Sequence, residues 1–127
     1  KNGCVSNYIS GTGLEAMIYD KLKVKITAEK FLNQKTYNKS EEKVLKNFYE
    51  YYGLALANIV NTVDPDLIIL GGGLSNHQGL YSKGQAMVYK NIFCEEPNTP
   101  ILKNTLGDSS GVIGAALIGK NLADENF

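Results

Sequence analysis

The segment Leu67-Ile68-Ile69-Leu70-Gly71-Gly72-Gly73-Leu74-Ser75-Asn76 decides the fold. Its four apolar residues, Leu67 to Leu70, read as a short buried strand, and the glycines directly after them read as a turn. Just upstream, Asp64-Pro65-Asp66 stops a long helical pattern, because proline cannot continue a helix. Downstream, Ser75, Asn76, His77 and Gln78 give a polar start to a helix carrying Leu80, Tyr81, Met87, Val88, Ile92 and Phe93, despite Gly79 and Gly84. Pro97 and Pro100 end that helix, Ile101 to Thr105 reads as a second strand, and Val112 to Ile118 as a helix of small and apolar residues. The order after the first helices is therefore β-α-β-α, which predicts an α/β layer, helix-rich with a short sheet. Two short strands are few for a free-standing sheet, so a missing piece of the sheet is expected.

The residues before this segment read as helices. Ser10, Gly11 and Thr12 precede Leu14, Met17, Ile18 and Leu22 at helical spacing, and Thr27 can cap a short segment carrying Phe31 and Leu32. Asn33 to Lys39 is a polar loop. Ser40 reads as an N-cap, with Glu41 and Glu42 in the first turn, and Val44, Leu45, Phe48, Tyr52, Ala55, Leu56, Ile59 and Val60 follow the 3.6-residue period. This main helix runs to about Thr62. Its second half, from Gly53 to Val60, is apolar almost all round and is expected to be buried.

The chain has 127 residues, 43% of them hydrophobic, which is enough for one domain with a single core. Lys plus Arg number 13 and Asp plus Glu number 13, so no excess of positive charge is available to neutralise a run of phosphates, and no nucleic-acid binding is expected through this segment. The apolar run Leu67 to Leu70 is far below the roughly 18 to 20 residues that span a bilayer, so no membrane partner is expected. Cys4 and Cys94 are the two cysteines, far apart and without a secretory leader pattern, which suits a reducing, cytoplasmic location. The sequon Asn38-Lys39-Ser40 then reads as chance.

Each motif has a plain structural reading beside the functional one. The glycine triplet lacks Cβ atoms, so a ligand's phosphate, ribose or base can come close to the main chain, yet it is equally a tight turn. As a dinucleotide fingerprint it fails, because Asn76 stands where the third glycine belongs. Gly114 to Asn121 nearly matches a nucleotide-hydrolase phosphate loop, but Asn121 replaces the magnesium-binding Ser or Thr, and the segment reads as close helix packing. Asp108, Ser109 and Ser110 read as a cap of the last helix or as a loop lining a cleft. His77 reads as an exposed helix-entry residue, and Cys94 as a small packing residue.

Around Cys4 the chain resembles a known family. Lys1-Asn-Gly3-Cys4-Val-Ser6-Asn-Tyr-Ile-Ser10-Gly11 is similar to the second half of the zinc and sugar-binding signature of ROK-family proteins, C-x-C-G-x-x-G-C-x-E-x-x-x-S-G. These are sugar kinases and sugar-responsive repressors. The likeness continues through Tyr52 to Asp66, Ile69 to Asn76, and Gly107 to Ala116, and looks most like the fructokinase and N-acetylglucosamine kinase branch.

The resemblance implies the C-terminal part of an actin/hexokinase-like, ribonuclease H-like kinase domain, spanning residues 1–127. It implies a parent enzyme that transfers the γ-phosphate of ATP, with Mg, to a hexose or N-acetylhexosamine. The family's first phosphate loop, its second phosphate loop, its catalytic Asp and the remaining zinc ligands would all precede Lys1. The chain alone is therefore expected to be inactive, with no catalytic residue of its own. The adenosine side falls to Gly71, Gly72, Gly73, Leu74 and Ser75, with Ser6 and Tyr8 near the sugar. Cys4 is implied as a zinc ligand only together with the upstream His and two Cys. A homodimer is expected. Ser6 stands where the family has a glutamate that accepts hydrogen bonds from sugar hydroxyls, which leaves the sugar's identity open. The alternative is the sensing domain of a ROK-type repressor, and a third reading is a nucleotide-binding or dimerisation module without activity.

Overall fold

The computed structural model describes residues 3–94, 97–107 and 110–125. Six helices and two strands follow in the order α1 (Ser6–Ile9), α2 (Gly11–Leu22), α3 (Ala28–Leu32), α4 (Lys39–Val63), β1 (Ile68–Leu70), α5 (Lys83–Asn91), β2 (Ile101–Lys103) and α6 (Ser110–Glu125). β1 and β2 pair in parallel, with Ile68 opposite Ile101, Ile69 opposite Leu102 and Leu70 opposite Lys103. The β-α-β order expected from the sequence is thus present, with α5 as the crossover that a parallel pair requires.

Side chains and backbone spacing explain the helix limits. The Ser10 hydroxyl accepts the Gly13 N–H at 3.0 Å at the start of α2, and Thr27 Oγ1 accepts the Lys30 N–H at 3.3 Å at the start of α3. Glu15 reaches from α2 to accept the Ala28 N–H at 2.9 Å, so a carboxylate sits at the N-terminus of α3 where the helix dipole favours it. The cap of α4 is Asn38 rather than Ser40. Asn38 Oδ1 accepts from the N–H groups of Ser40 and Glu41, while the Glu41 carboxylate accepts the Asn38 N–H at 2.8 Å, closing a capping box. Asp64 caps the other end in the left-handed conformation, its N–H bonded to the Val60 carbonyl, and Pro65 prevents continuation.

The core lies where α4 packs on α1, α2 and α5, with α3 added to it against α2. Leu14, Ile18, Phe31, Val44, Phe48 and Val88 are buried almost completely. α4 and α5 come together at Gly53, where a Cβ would stand 2.7 Å from the Met87 carbonyl carbon. Asn61 then joins the two helices at the far end, accepting from the Phe93 N–H and donating to the Asn91 carbonyl.

Several expectations are corrected. The second half of α4 is buried on one side only: Tyr52, Leu56, Ala57 and Val60 enter the core, while Leu54, Ile59 and Val63 are exposed. β1 is likewise one-sided, with Ile68 and Leu70 packed on the core and Ile69 61% exposed beside exposed Leu102. An all-apolar sequence reports two faces fit for burial, and the described residues cover one of them. The helix expected from Ser75 is two 3-10 turns, Gly73–Asn76 and Gln78–Tyr81, before α5 begins at Lys83. The bonds Ser75 N–H to Gly72 O, His77 N–H to Leu74 O and Leu80 N–H to His77 O all span three residues and tighten the chain. β2 ends at Lys103 rather than Thr105. Cys94 is exposed, not packed. Nothing among the described residues packs closely on Gly114 or Gly119. Asp108 and Ser109, the expected cap of α6, lie outside the described residues.

Two substitution pairs test this account. Gly53→Ala is expected to lower the thermal midpoint, by overpacking worth about 1–3 kcal/mol, although alanine is the better helix former. Gly114→Ala, with open space around it, is expected to leave the midpoint unchanged or raise it. Asn38→Ala should cost about 1 kcal/mol in urea unfolding, and Ser40→Ala less than half of that. Equal losses would mean that the capping box does not form.

Candidate functional site

The glycine turn leaves β1 and enters the first 3-10 turn through a backbone that side chains resist. Gly72 has φ 77° and ψ 177°, a region essentially reserved for glycine. Its absent Cβ would meet nothing within 4 Å, so the conformation, not crowding, demands glycine here. The turn is then stitched from below by Ser75, which is 2% exposed. The Ser75 hydroxyl donates to the Gly72 carbonyl at 2.7 Å, and the Ser75 carbonyl accepts from the Tyr81 hydroxyl at 2.7 Å. Asn104, just after β2, donates from Nδ2 to the Leu70 carbonyl at 3.0 Å and to Ser75 Oγ at 3.4 Å.

Beside the turn lies a cleft of about 360 Å³, within the range of roughly 300–1,000 Å³ usual for small-molecule sites. Gly11 from the start of α2, Ala28, Glu29, Leu32 and Asn33 from α3 and its end, and Gly73, Leu74, Asn76 and His77 line it. The walls combine apolar Ala28, Leu32 and Leu74 with polar Asn33, Asn76 and His77. Such a mixture can hold a flat heterocycle against apolar side chains while polar groups at its edge fix its orientation.

Of the residues singled out in the sequence, Gly73 and Leu74 line the cleft. Gly71 and Gly72 are exposed in the turn, and Ser75 lies beneath it with its hydroxyl committed to Gly72. His77 is not the exposed helix-entry residue expected. It is half-buried between the two 3-10 turns, with Nε2 2.6 Å from the Tyr49 hydroxyl. Burial lowers its pKa from the ordinary 6.5, and the nearby positive charge of Lys83 acts in the same direction. Sequence reasoning also missed the contributions of α3 and Asn76. Thr27 revealed a capped segment, but no local pattern says that Ala28, Glu29 and Leu32 face a glycine turn more than forty residues later.

Ser6 and Cys4 form a separate group on and before α1. Cys4 Sγ and Ser6 Oγ are 3.0 Å apart, and this contact lowers the thiol pKa. Both residues are exposed. Among the described residues no cluster of three or more His, Cys, Asp or Glu could hold a metal ion, and one thiolate does not make a structural zinc site. The residues present therefore do not by themselves fit zinc. Tyr8 turns toward α4, its ring 5.0 Å from that of Tyr51. No described helix is long and apolar enough to cross a membrane.

Residues 1–121 match the ROK family. The N-acetyl-D-glucosamine kinase of Histophilus somni is 36% identical over 117 residues, covering 91% of this chain and 38% of the relative. The enzyme of the same name from Haemophilus influenzae is 35% identical over 117 residues, with the same coverage. This chain thus spans less than two-fifths of the length of these relatives. A ROK hexokinase from Thermus thermophilus superposes with a TM-score of 0.75 at 24% identity, covering 91% of this chain and 40% of that one. A ROK family glucokinase from Streptomyces griseus, solved with glucose and AMPPNP, also gives 0.75, at 19% identity, covering 93% of this chain and 45% of the other. The fold is accordingly the actin/hexokinase-like fold of ROK sugar kinases, represented here by a helix-rich part with a short two-stranded sheet. With its ordered motifs and with the family match running through nearly its whole length, this chain belongs to the ROK family.

Proposed function

We propose that the chain is the nucleotide-binding C-terminal portion of an ATP-dependent sugar kinase acting on a hexose or N-acetylhexosamine. The observation that carries this reading is the cleft beside the Gly71–Gly73 turn, at the carboxyl end of a parallel strand. Ligands of open α/β sheets bind outside the carboxyl ends of strands. Relatives named N-acetyl-D-glucosamine kinase make an N-acetylhexosamine the first sugar to test.

In this reading Ala28, Leu32 and Leu74 sandwich the base, and the side-chain-free edge at Gly73 lets the ribose approach the main chain. Bound ATP, with its magnesium, would supply the γ-phosphoryl group. The work of these residues is positioning, which is the larger part of phosphoryl-transfer catalysis. The base that takes the sugar hydroxyl's proton is assigned to the portion of the family fold aligned before Lys1, as are the partners that would make Cys4 a zinc ligand. A cytoplasmic homodimer belongs to the same proposal.

On the sugar side, Ser6 offers a short neutral hydroxyl where the family has a carboxylate. Losing a charge-assisted hydrogen bond to a sugar costs about 1.5–3 kcal/mol, so wild-type affinity for common hexoses should be weak.

Two variants of the protein carrying the complete kinase domain test the two sides. Gly72→Val is expected to raise KM for ATP at least about tenfold more than KM for the sugar, because strain of about 1–3 kcal/mol distorts the turn. An unchanged KM for ATP in a folded variant would reduce the glycine triplet to a structural turn. Ser6→Glu is expected to tighten binding of at least one of N-acetylglucosamine, N-acetylmannosamine, glucose and fructose in calorimetric titration, since a carboxylate accepts from two hydroxyls at once. Weaker binding of all four would remove Ser6 from the sugar site.

A further inference from the structure

His77 is the single histidine of the chain, and its chemistry is set from behind by a buried tyrosine. Tyr49, on the core side of α4, brings its hydroxyl to 2.6 Å from His77 Nε2. The two rings lie nearly parallel, 6.1 Å between centroids and 16° between planes. Gly79 makes room for the pair, since a Cβ there would collide with both the Tyr49 hydroxyl and Nε2.

Proton positions follow from counting acceptors. Burial pushes the Tyr49 phenol up to about 12 and holds His77 below its ordinary value, so at neutral pH the phenol keeps its proton and the imidazole is neutral. Among the described residues the Tyr49 hydroxyl has no acceptor other than Nε2. A proton on Nε2 would leave the phenol proton without a partner in a half-buried place, at the cost of an unmade hydrogen bond. Nε2 is therefore the acceptor, and a neutral ring must then carry its hydrogen on Nδ1. Nδ1 has no described protein partner and is not among the buried unpaired atoms, while the residue itself lines the cleft with Gly73, Leu74 and Asn76.

We propose that Tyr49 locks His77 in the Nδ1–H tautomer and that His77 thereby offers the cleft a fixed hydrogen-bond donor, which reads a ring-nitrogen acceptor of the bound purine. The inference rests on the nucleotide reading of the cleft and adds a base-selecting residue to it. Tyr49 is the positioning residue, acting only through His77.

In the protein carrying the complete kinase domain, nitrogen NMR of the imidazoles reads this ring once its resonances are assigned as those lost in His77→Gln, His77 being the one histidine of these 127 residues. In wild type at pH 7.5 the hydrogen is expected on Nδ1, and Tyr49→Phe is expected to shift it substantially to Nε2. Adding AMPPNP should move the Nδ1–H resonance together with the backbone amides of Gly73 and Leu74. His77→Gln, which keeps an amide near Tyr49 but has no donor at Nδ1, should weaken AMPPNP binding about three- to tenfold, as expected for one lost hydrogen bond. His77→Asn, with an amide N–H near the Nδ1 position, should recover most of that loss. A wild-type hydrogen on Nε2 would overturn the proposal, as would equal affinities of wild type and His77→Gln. Amide shifts at Gly73 and Leu74 with an unmoved His77 would overturn it and leave the nucleotide reading standing. No shift at the turn with saturating AMPPNP would remove the nucleotide reading and this inference together.

Discussion

At Gly53 the backbone of α4 passes so near α5 that even one added carbon would fall within 3 Å of Met87 backbone atoms. That approach holds the crossover helix against the core, and the parallel pairing of β1 with β2 depends on where the crossover runs. Tyr49 and Tyr52 lie four residues and one residue before Gly53 on α4, so the same approach also sets where the Tyr49 hydroxyl stands behind His77. Tyr52 is buried and its ring would be met at 2.9 Å by a Cβ on Gly84, the second close passage of the two helices. Small residues at both passages let broad side chains fill the space between them, as dense interiors require.

The glycine turn is held by polar groups rather than by packing. Leu70 gives its carbonyl to both the backbone and the side chain of Asn104, and Asn104 continues to Ser75, which holds Gly72. Each such bond contributes about 0.5–1.5 kcal/mol net, comparable to the strain that Gly72 avoids by having no side chain. Asn104 Oδ1 is buried without a protein partner among the described residues, which marks this corner as a place for an ordered water. A serine and an asparagine are thus committed beneath the turn, and Gly73, Leu74, Asn76 and His77 are left to line the cleft.

Helices and strands were readable because they are properties of short stretches. The strand at Leu70, the stop at Pro65 and the cap at Thr27 each depend on a few neighbouring residues, and the structure has them all. Ser40 was a plausible cap, but Asn38 also has Glu41 three residues later, and that reciprocal pair decides the start. The misplaced features depend on partners distant in sequence. His77 is turned inward by Tyr49, 28 positions earlier, and α3 reaches the cleft through tertiary packing that no period encodes. Apolar residues on the far sides of α4 and β1 satisfy the pattern for burial without a described neighbour to bury them. The family resemblance reached further than the periodicity, because motif order across the whole chain carries the topology that local patterns lack.

Under the kinase proposal the two substrates share a rigid corner at Ser10. Its hydroxyl donates to the Ser6 carbonyl at the start of α1 and accepts the Gly13 N–H at the start of α2, bonding both helices at one atom. Gly11, the next residue, is part of the cleft wall. Ser6, at the other end of α1, stands on the sugar side under the same proposal. The distance between the sugar side and the nucleotide side is then fixed by one helical turn and one serine, with no flexible loop between them. In-line phosphoryl transfer needs that fixed spacing, since displacing one substrate by an ångström can cost about a hundredfold in rate. A change at Ser10 should therefore act on turnover more than on the binding of either substrate, whereas a change at Ser6 should act on the sugar alone.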